Sequence, residues 1–489
     1  HPPRFGATVK SLDAGKAKSI AGVEAVVEIP NGVAVLGVDF WSAKKGRDAL
    51  QIEWDESSAF KLGSAELLAQ YKALAGKPGS AARSDGDVQS ALQSASKTLQ
   101  MTMEFPFLAH AALEPMNCVM QRHKDGVEIW NGEQLQTVDQ TAVAGVFGIE
   151  PEQVKINMLY AGGSFGRRAN PHSDYLVETA TIVKAIGGKA PVKLVWTRED
   201  DMQAGYYRPM YVHRLEAGLD ADGMPVAWHQ RVVGQSIMAG TAFEEGLVKD
   251  GIDVTSVEGA SNLPYAIPNI SVELHTTKLP VPVQWWRSVG STHTAFAVET
   301  FIDQMAAAAH RDPVEYRRAL LKGHPRHLGV LELAAEKAGW GQPVAKGCGR
   351  GIAVHESFNS YVAQVAEVSV NADNSFSVDR VVIAVDCGIA INPDIVVAQM
   401  EGGMGYGLSA ALSSELTFDK GRVVQSNFHD YTVLRINQMP DVEVHIVKSA
   451  EPPTGVGEPG TPVIAPAIAN ALTAATGQRF DRLPLRLSA

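Results

Sequence analysis

Cysteine is scarce: the 489 residues contain three, Cys118, Cys348 and Cys387, and no C-x-x-C pair. Three thiols cannot supply the four thiolates of an ordinary iron–sulfur cluster, and their spacing matches no zinc site. Redox chemistry in this chain would have to pass its electrons elsewhere. The compartment stays open, because so few thiols suit the cytosol and also a periplasmic protein without disulfides. Long apolar runs are missing too, none reaching the roughly 18 residues of a bilayer span. Basic charge is in deficit: 43 Lys and Arg face 54 Asp and Glu, a net charge of −11. That disfavours a broad nucleic-acid surface. The opening HPPRFGATVK has no Met and no signal-peptide pattern, so a processed or truncated chain is expected.

What is present is ordinary globular material, 45% hydrophobic and 20% charged. Residues 22–55 read as a small α+β unit. GVEAVVEI and VAVLGV are strands about a PNG turn, and DFWSAKKGRDAL is a helix with Asp39 as N-cap. LQIEWD alternates, placing Leu50, Ile52 and Trp54 on one face. KPGSAARSDGDVQSA (77–91) predicts a linker. QVKINMLY (153–160) predicts a strand with Val154, Ile156 and Met158 inward, then the loop AGGSFGRR and the helix SDYLVETATIVKAIGG with a glycine cap. A second such module begins near residue 345.

Three glycine-rich segments carry the candidate chemistry. In AGGSFGRR (161–168), bare backbone lets N–H groups approach an anion, and Arg167 and Arg168 offer further contacts. The loop is neither Walker A nor G-x-G-x-x-G, and Phe165 in it either plugs the core or lines a pocket. In QMEGGMGYGLSAAL (399–412) four glycines weaken a helix by about 1 kcal/mol each. Close approach of a ligand explains them, and so does tight helix packing. In TGVGEPGTPVIAPAIANALTAATG (454–477) a lone acid, Glu458, is stiffened by Pro459 and Pro462. It reads as a general base aimed at a fixed proton, or as a helix-capping glutamate. Arg287 and Gln134 lie in loops where they could face a cofactor. His110 and Glu114 read as structural, and His324 and His327 as solvated rather than metal-binding.

Taken in order, VDFWSAKKGRDALQIEWD, LAHAALEPMNC, YAGGSFGRRAN, REDDMQAGYYRP, WWRSVGSTHTAFAVE, DCGIAINP, QMEGGMGYGL and GVGEPGTPVIAPAIANAL resemble the molybdenum-binding large subunit of the xanthine dehydrogenase/aldehyde oxidase family, in its isoquinoline 1-oxidoreductase branch. The resemblance implies an α+β chain: a partial α/β hammerhead domain (1–76), a linker (77–92), and two molybdopterin-binding domains (93–325 and 326–489). The family's chain normally begins upstream of His1.

The same resemblance implies molybdopterin cytosine dinucleotide, whose dithiolene holds molybdenum with no protein ligand to the metal. Glu458 would take the proton from a metal-bound hydroxide, whose oxygen attacks an electron-poor carbon. Gln134 matches the glutamine near the apical oxo group. Gly163, Ser164, Phe165 and Gly166 match the loop over the metal, with Arg167 next to them. Arg287 matches the arginine of the Arg-x-x-Gly stretch. Gln399, Gly402 and Gly403 match the segment gripping the dinucleotide, and Gly455 and Gly457 flank the base. Trp286, Tyr206, Tyr207 and Tyr431 are expected at the pocket. GGSFG replaces the three glycines of many relatives, and NGEQ replaces a Ser/Pro-Thr-Gln form, both at the pocket rim. The implied reaction is hydroxylation of an N-heteroaromatic compound or an aldehyde. The implied partners are a small subunit with two 2Fe–2S clusters and a cytochrome c acceptor. The implied setting is the periplasm, with the cytoplasm left open. A scaffold or assembly subunit that kept the fold is the alternative, which retention of Glu458 and both glycine loops opposes.

Overall fold

Val23–Ile29 and Gly32–Gly37 close an antiparallel hairpin about the Pro30–Asn31 turn. The helix Phe40–Asp48 follows, with Asp39 accepting the Ser42 N–H at 2.7 Å as its cap. Gln51–Asp55 then pairs with Thr8–Asp13. This last strand is mostly polar, and no alternation announces it. The computed structural model describes residues 1–488, and its architecture is α+β. Among the described residues no helix is long and apolar enough to cross a membrane.

Beyond the hairpin unit, a five-stranded sheet runs in the order Ser80–Asp85, Ile270–Thr277, Pro225–Gln235, Tyr211–Leu219, Lys97–Phe105. The passage expected as a linker therefore supplies its edge strand, Ser80–Asp85, and a helix, Val88–Ser94. Composition misleads here because an edge strand needs backbone donors and acceptors more than apolar side chains, and no residue of this one is buried.

A four-stranded sheet follows the order Val192–Val195, Asn117–Arg122, Val127–Asn131, Val154–Met158. Val154 is buried and Ile156 half-buried, but Met158 is 64% exposed rather than inward. The strand's last residue runs past the buried layer into the exposed stretch Leu159–Tyr160 that leads to the 161–168 loop. The helix Asp174–Ala185 lies against this sheet. Its end is closed by Gly187 and Gly188 in left-handed backbone, with the Gly188 N–H donating to Val183 O.

The second module is a sheet of Cys348–Ser357, Ser360–Val370, Phe376–Asp386 and Asp441–Ile446, the last strand joining parallel. The helix Ile464–Thr476 rests on it. Their contact is so close that a Cβ on Gly351 would stand 2.1 Å from Ala471 N and 2.4 Å from Ala467 O. Gly351→Ala is expected to destabilise the chain by about 1–3 kcal/mol through overpacking, read as a lower midpoint in denaturant unfolding. An unchanged midpoint would show that the helix shifts freely. The helix Ser291–Ala308 is buried along most of its length. One hydrophobic cluster runs from Leu99 to Leu485, so both large modules share a core.

Candidate functional site

The entry to the Ser291–Ala308 helix is where the glycine segments meet. Glu458 is half-buried, and its Oε2 accepts the Ser288 N–H at 2.6 Å. The Ser288 hydroxyl returns a bond to the Glu458 carbonyl at 2.6 Å. Burial pushes the Glu458 carboxyl above its ordinary range, while the Ser288 N–H and the Arg287 charge oppose the shift. Arg287 donates through Nε to Gly457 O at 2.8 Å and through Nη2 to Gln399 Oε1 at 2.9 Å. One guanidinium thus ties the 454–460 loop to the helix Pro393–Leu412.

The 161–168 loop joins from the other side. The Arg287 N–H donates to Phe165 O at 3.0 Å. Phe165 holds left-handed backbone at φ +58°, between Gly163 at +97° and Gly166 at +104°. A Cβ on Gly166 would stand 2.8 Å from Trp285 O, so the loop can close only with glycine there. The Phe165 ring stacks on Tyr406 at 4.1 Å, and Tyr406 stacks on Trp286 at 4.4 Å. Phe165 is the outer, half-buried ring of this three-ring pile. Ser164 donates its hydroxyl to Gln134 Oε1, which places the exposed Gln134 at the same rim.

The four helix glycines divide between the two readings, Gly405 lying in ordinary contact with Met439. Gly403 and Gly407 pack on the Thr461 backbone and side chain, and a Cβ on Gly407 would meet Thr461 O at 2.2 Å. Gly402 faces open space, as does Gly457 next to the acid. Gly455 lies against Phe358. The bare faces of Gly402 and Gly457, the exposed amide of Gln134 and the free Nη1 of Arg287 leave room and donors for a large polar cofactor near Glu458.

Several expected liners lie elsewhere. Arg167 is 2% exposed, pairs twice with Asp174 and packs over Trp196 and Tyr206. Arg168 is buried against Glu114 and the Gly163 carbonyl. Neither guanidinium reaches the rim, because each satisfies an acid or a carbonyl that the loop's return path would otherwise strand. Tyr207 and Tyr431 belong to a core cluster around Phe418, their hydroxyls bonded to Met202 O and Ala109 O. Tyr206 covers Arg167. Trp286 is 4% exposed, and its ring lies behind Tyr406. His110 bonds to Trp285 O, and burial pushes its pKa down to about 3. Glu114 anchors the Gly162 N–H. His327 is buried beside Tyr361, where its pKa also falls to about 3. Sequence reading missed Tyr406, Ser288 and Glu258. Only Tyr406 carried a signal, as an aromatic amid helix glycines.

Next to Gln134, Glu133 and Asp139 are 5% and 1% exposed. Burial pushes Glu133 up to about 8, with the Asp139 charge adding to it, and pushes Asp139 up to about 7. The folded chain therefore holds protons that the unfolded chain, with carboxyls near their ordinary values, has released. This pair's contribution to stability should fall as pH rises from roughly 4 to 8. Glu133→Gln should flatten that slope in urea midpoints taken across the range. An equal slope in the variant would mean that the pair is already ionised in the fold.

The family models and relatives define a molybdopterin-binding protein. A molybdopterin cofactor-binding domain model matches residues 75–321, and a second of the same description matches 291–440. The chain belongs to this family. It is 34% identical to isoquinoline 1-oxidoreductase subunit beta of Brevundimonas diminuta, across 99% of this chain and 63% of that protein. It is 30% identical to a membrane-bound aldehyde dehydrogenase (pyrroloquinoline-quinone) of Gluconacetobacter polyoxogenes, across 99% of this chain and 67% of that protein. The fold matches quinoline 2-oxidoreductase of Pseudomonas putida 86 with a TM-score of 0.84 at 15% identity, covering 99% of this chain and 92% of that one.

Proposed function

We propose that this chain is the catalytic part of a molybdenum hydroxylase, inserting water-derived oxygen at an electrophilic carbon of an N-heteroaromatic compound or an aldehyde. One observation carries the reading: the half-buried Glu458, fixed by the Ser288 N–H between Arg287 and the open faces of Gly402 and Gly457. The names of the relatives, an isoquinoline oxidoreductase subunit and an aldehyde dehydrogenase, support the reaction class. When bound, molybdopterin cytosine dinucleotide supplies an activated oxygen and a two-electron sink.

The protein's part is local. Ser288 occupies Glu458 Oε2, which leaves Oε1 to accept a proton. Burial raises the basicity of the carboxylate, and the Ser288 N–H and the Arg287 charge oppose that rise. Gln399 and Arg287 brace the backbone of Gly457, so the acid does not swing. Phe165, the outer ring of the Tyr406–Trp286 pile, offers a flat surface that suits an aromatic substrate. Three cysteines leave electron transfer to a partner with 2Fe–2S clusters.

The test is metal and nucleotide analysis of the purified complex, followed by dye-linked assays on quinoline, nicotinate and benzaldehyde. Molybdenum, released CMP and turnover of a ring substrate are expected. A complex without molybdenum would refute the assignment. Turnover of benzaldehyde alone would move the substrate class to aldehydes.

A further inference from the structure

Glu258 has no role in the chemistry above, yet it grips the same turn as Glu458. The turn into the Ser291–Ala308 helix places two non-glycine residues in left-handed backbone, Ser288 at φ +84° and Val289 at φ +50°. Such a pair persists only where its surroundings hold it. Glu458 Oε2 takes the Ser288 N–H at 2.6 Å, and Glu258 Oε1 takes the Gly290 N–H at 2.7 Å. The Gly290 backbone is pressed so close that a Cβ there would stand 1.8 Å from Thr255 O. Two carboxylates from distant segments therefore clamp amides two residues apart, where unpaired helix N–H groups favour negative charge.

The charged and titratable neighbours of Glu258 are few. Asp253 lies on its own segment, buried and bonded to Thr255 and Ser236. Glu458 faces it across the turn, next to Arg287. His355, on the strand Cys348–Ser357, lies beside Gly259 and bonds to the Ser291 hydroxyl. Burial pushes its pKa down to about 4, so it is neutral. Burial pushes Glu258 up to about 7; the Gly290 and Ser291 amides oppose this, and the charges of Asp253 and Glu458 add to it. Glu258 is half-buried rather than sealed, so water reaches it.

We propose that Glu258 is a positioning and proton-holding residue: it shares the Ser288–Gly290 turn with Glu458 and releases a proton to solvent when Glu458 takes one up. The turn then carries a single negative charge throughout, and the base is recharged without charge building up in a buried place. The inference rests on the base role of Glu458.

The test is a difference-infrared titration of the carboxyl groups in the folded chain, comparing wild type with Glu258→Gln and Glu458→Gln. Glutamine keeps an oxygen for the amide at either position, so the turn is preserved. Glu133 and Asp139 give a background common to all three proteins. Glu258→Gln is expected to lose one carboxylic-acid band titrating near neutrality. Glu458→Gln is expected to keep that band but shift its titration to lower pH, because the neighbouring charge is gone. In the holoenzyme, Glu258→Gln should lose the neutral inflection of the kcat/KM profile, and Glu258→Asp should restore it. If the band titrates at the same pH in Glu458→Gln, the coupling is refuted and the base role stands. If Glu458→Gln turns over at the wild-type rate, the base role itself fails.

Discussion

Glu458→Gln is expected to lower kcat/KM by about 10³-fold, within the range of a lost general base. The substitution is nearly isosteric. Its amide oxygen still accepts the Ser288 N–H, so the left-handed turn at Ser288 and Val289 keeps its partner. Arg287 is held by the Gly457 carbonyl and Gln399, neither of which changes. The melting curve and the cofactor content should therefore match wild type while turnover collapses. This combination separates loss of a proton acceptor from loss of the site. Wild-type turnover in the variant would return Glu458 to the role of a helix-capping acid.

The largest effect on stability is expected far from the chemistry, at Arg317. Its guanidinium is fully buried and donates to Glu299 Oε2 at 2.9 Å, to Asp303 Oδ1 at 2.7 Å and to the Glu299 carbonyl at 2.9 Å. Glu299 also accepts the Tyr265 hydroxyl at 2.6 Å and the Val354 N–H at 2.9 Å. Tyr265 precedes the shared helix, and Val354 lies on the first strand of the second module. One buried carboxylate thus joins the two large modules. Arg317→Met should cost about 3–5 kcal/mol, because it strands two acids in a low-dielectric interior. Replacing Arg317 and Glu299 together by apolar residues removes the stranded charge at Glu299, but it leaves Asp303 without its partner and the Tyr265 hydroxyl and Val354 N–H without an acceptor, so the double variant should be no more stable than Arg317→Met. Denaturant midpoints of the single and double variants check both statements. A single-variant loss below about 1 kcal/mol would show that water enters and solvates the acids.

Much of the local structure was legible. Asp39 capped its helix, the PNG turn closed its hairpin, and Gly187 and Gly188 ended the Asp174–Ala185 helix, because each rests on the conformational preference of one or two residues. Composition failed at Ser80–Asp85, where pairing with Ile270–Thr277 overrides a polar, loop-like sequence. It failed again at Met158, whose alternation continues past the layer that would bury it. The arginines of AGGSFGRR look like anion ligands in sequence, but in the fold they satisfy Asp174 and Glu114.

By itself, the sequence determined which segments have bare backbone, where the stiffened acid lies, and that this chain's thiols are too few for its own iron–sulfur cluster. These follow from residue identity and need no partner. The tertiary structure decided which acids share a turn, which aromatics stack and which guanidiniums face inward. Those outcomes depend on distances between residues that are not neighbours in sequence, Ser288 and Glu458 being 170 positions apart. Such distances are set by the packing of the common core, and no local preference encodes them.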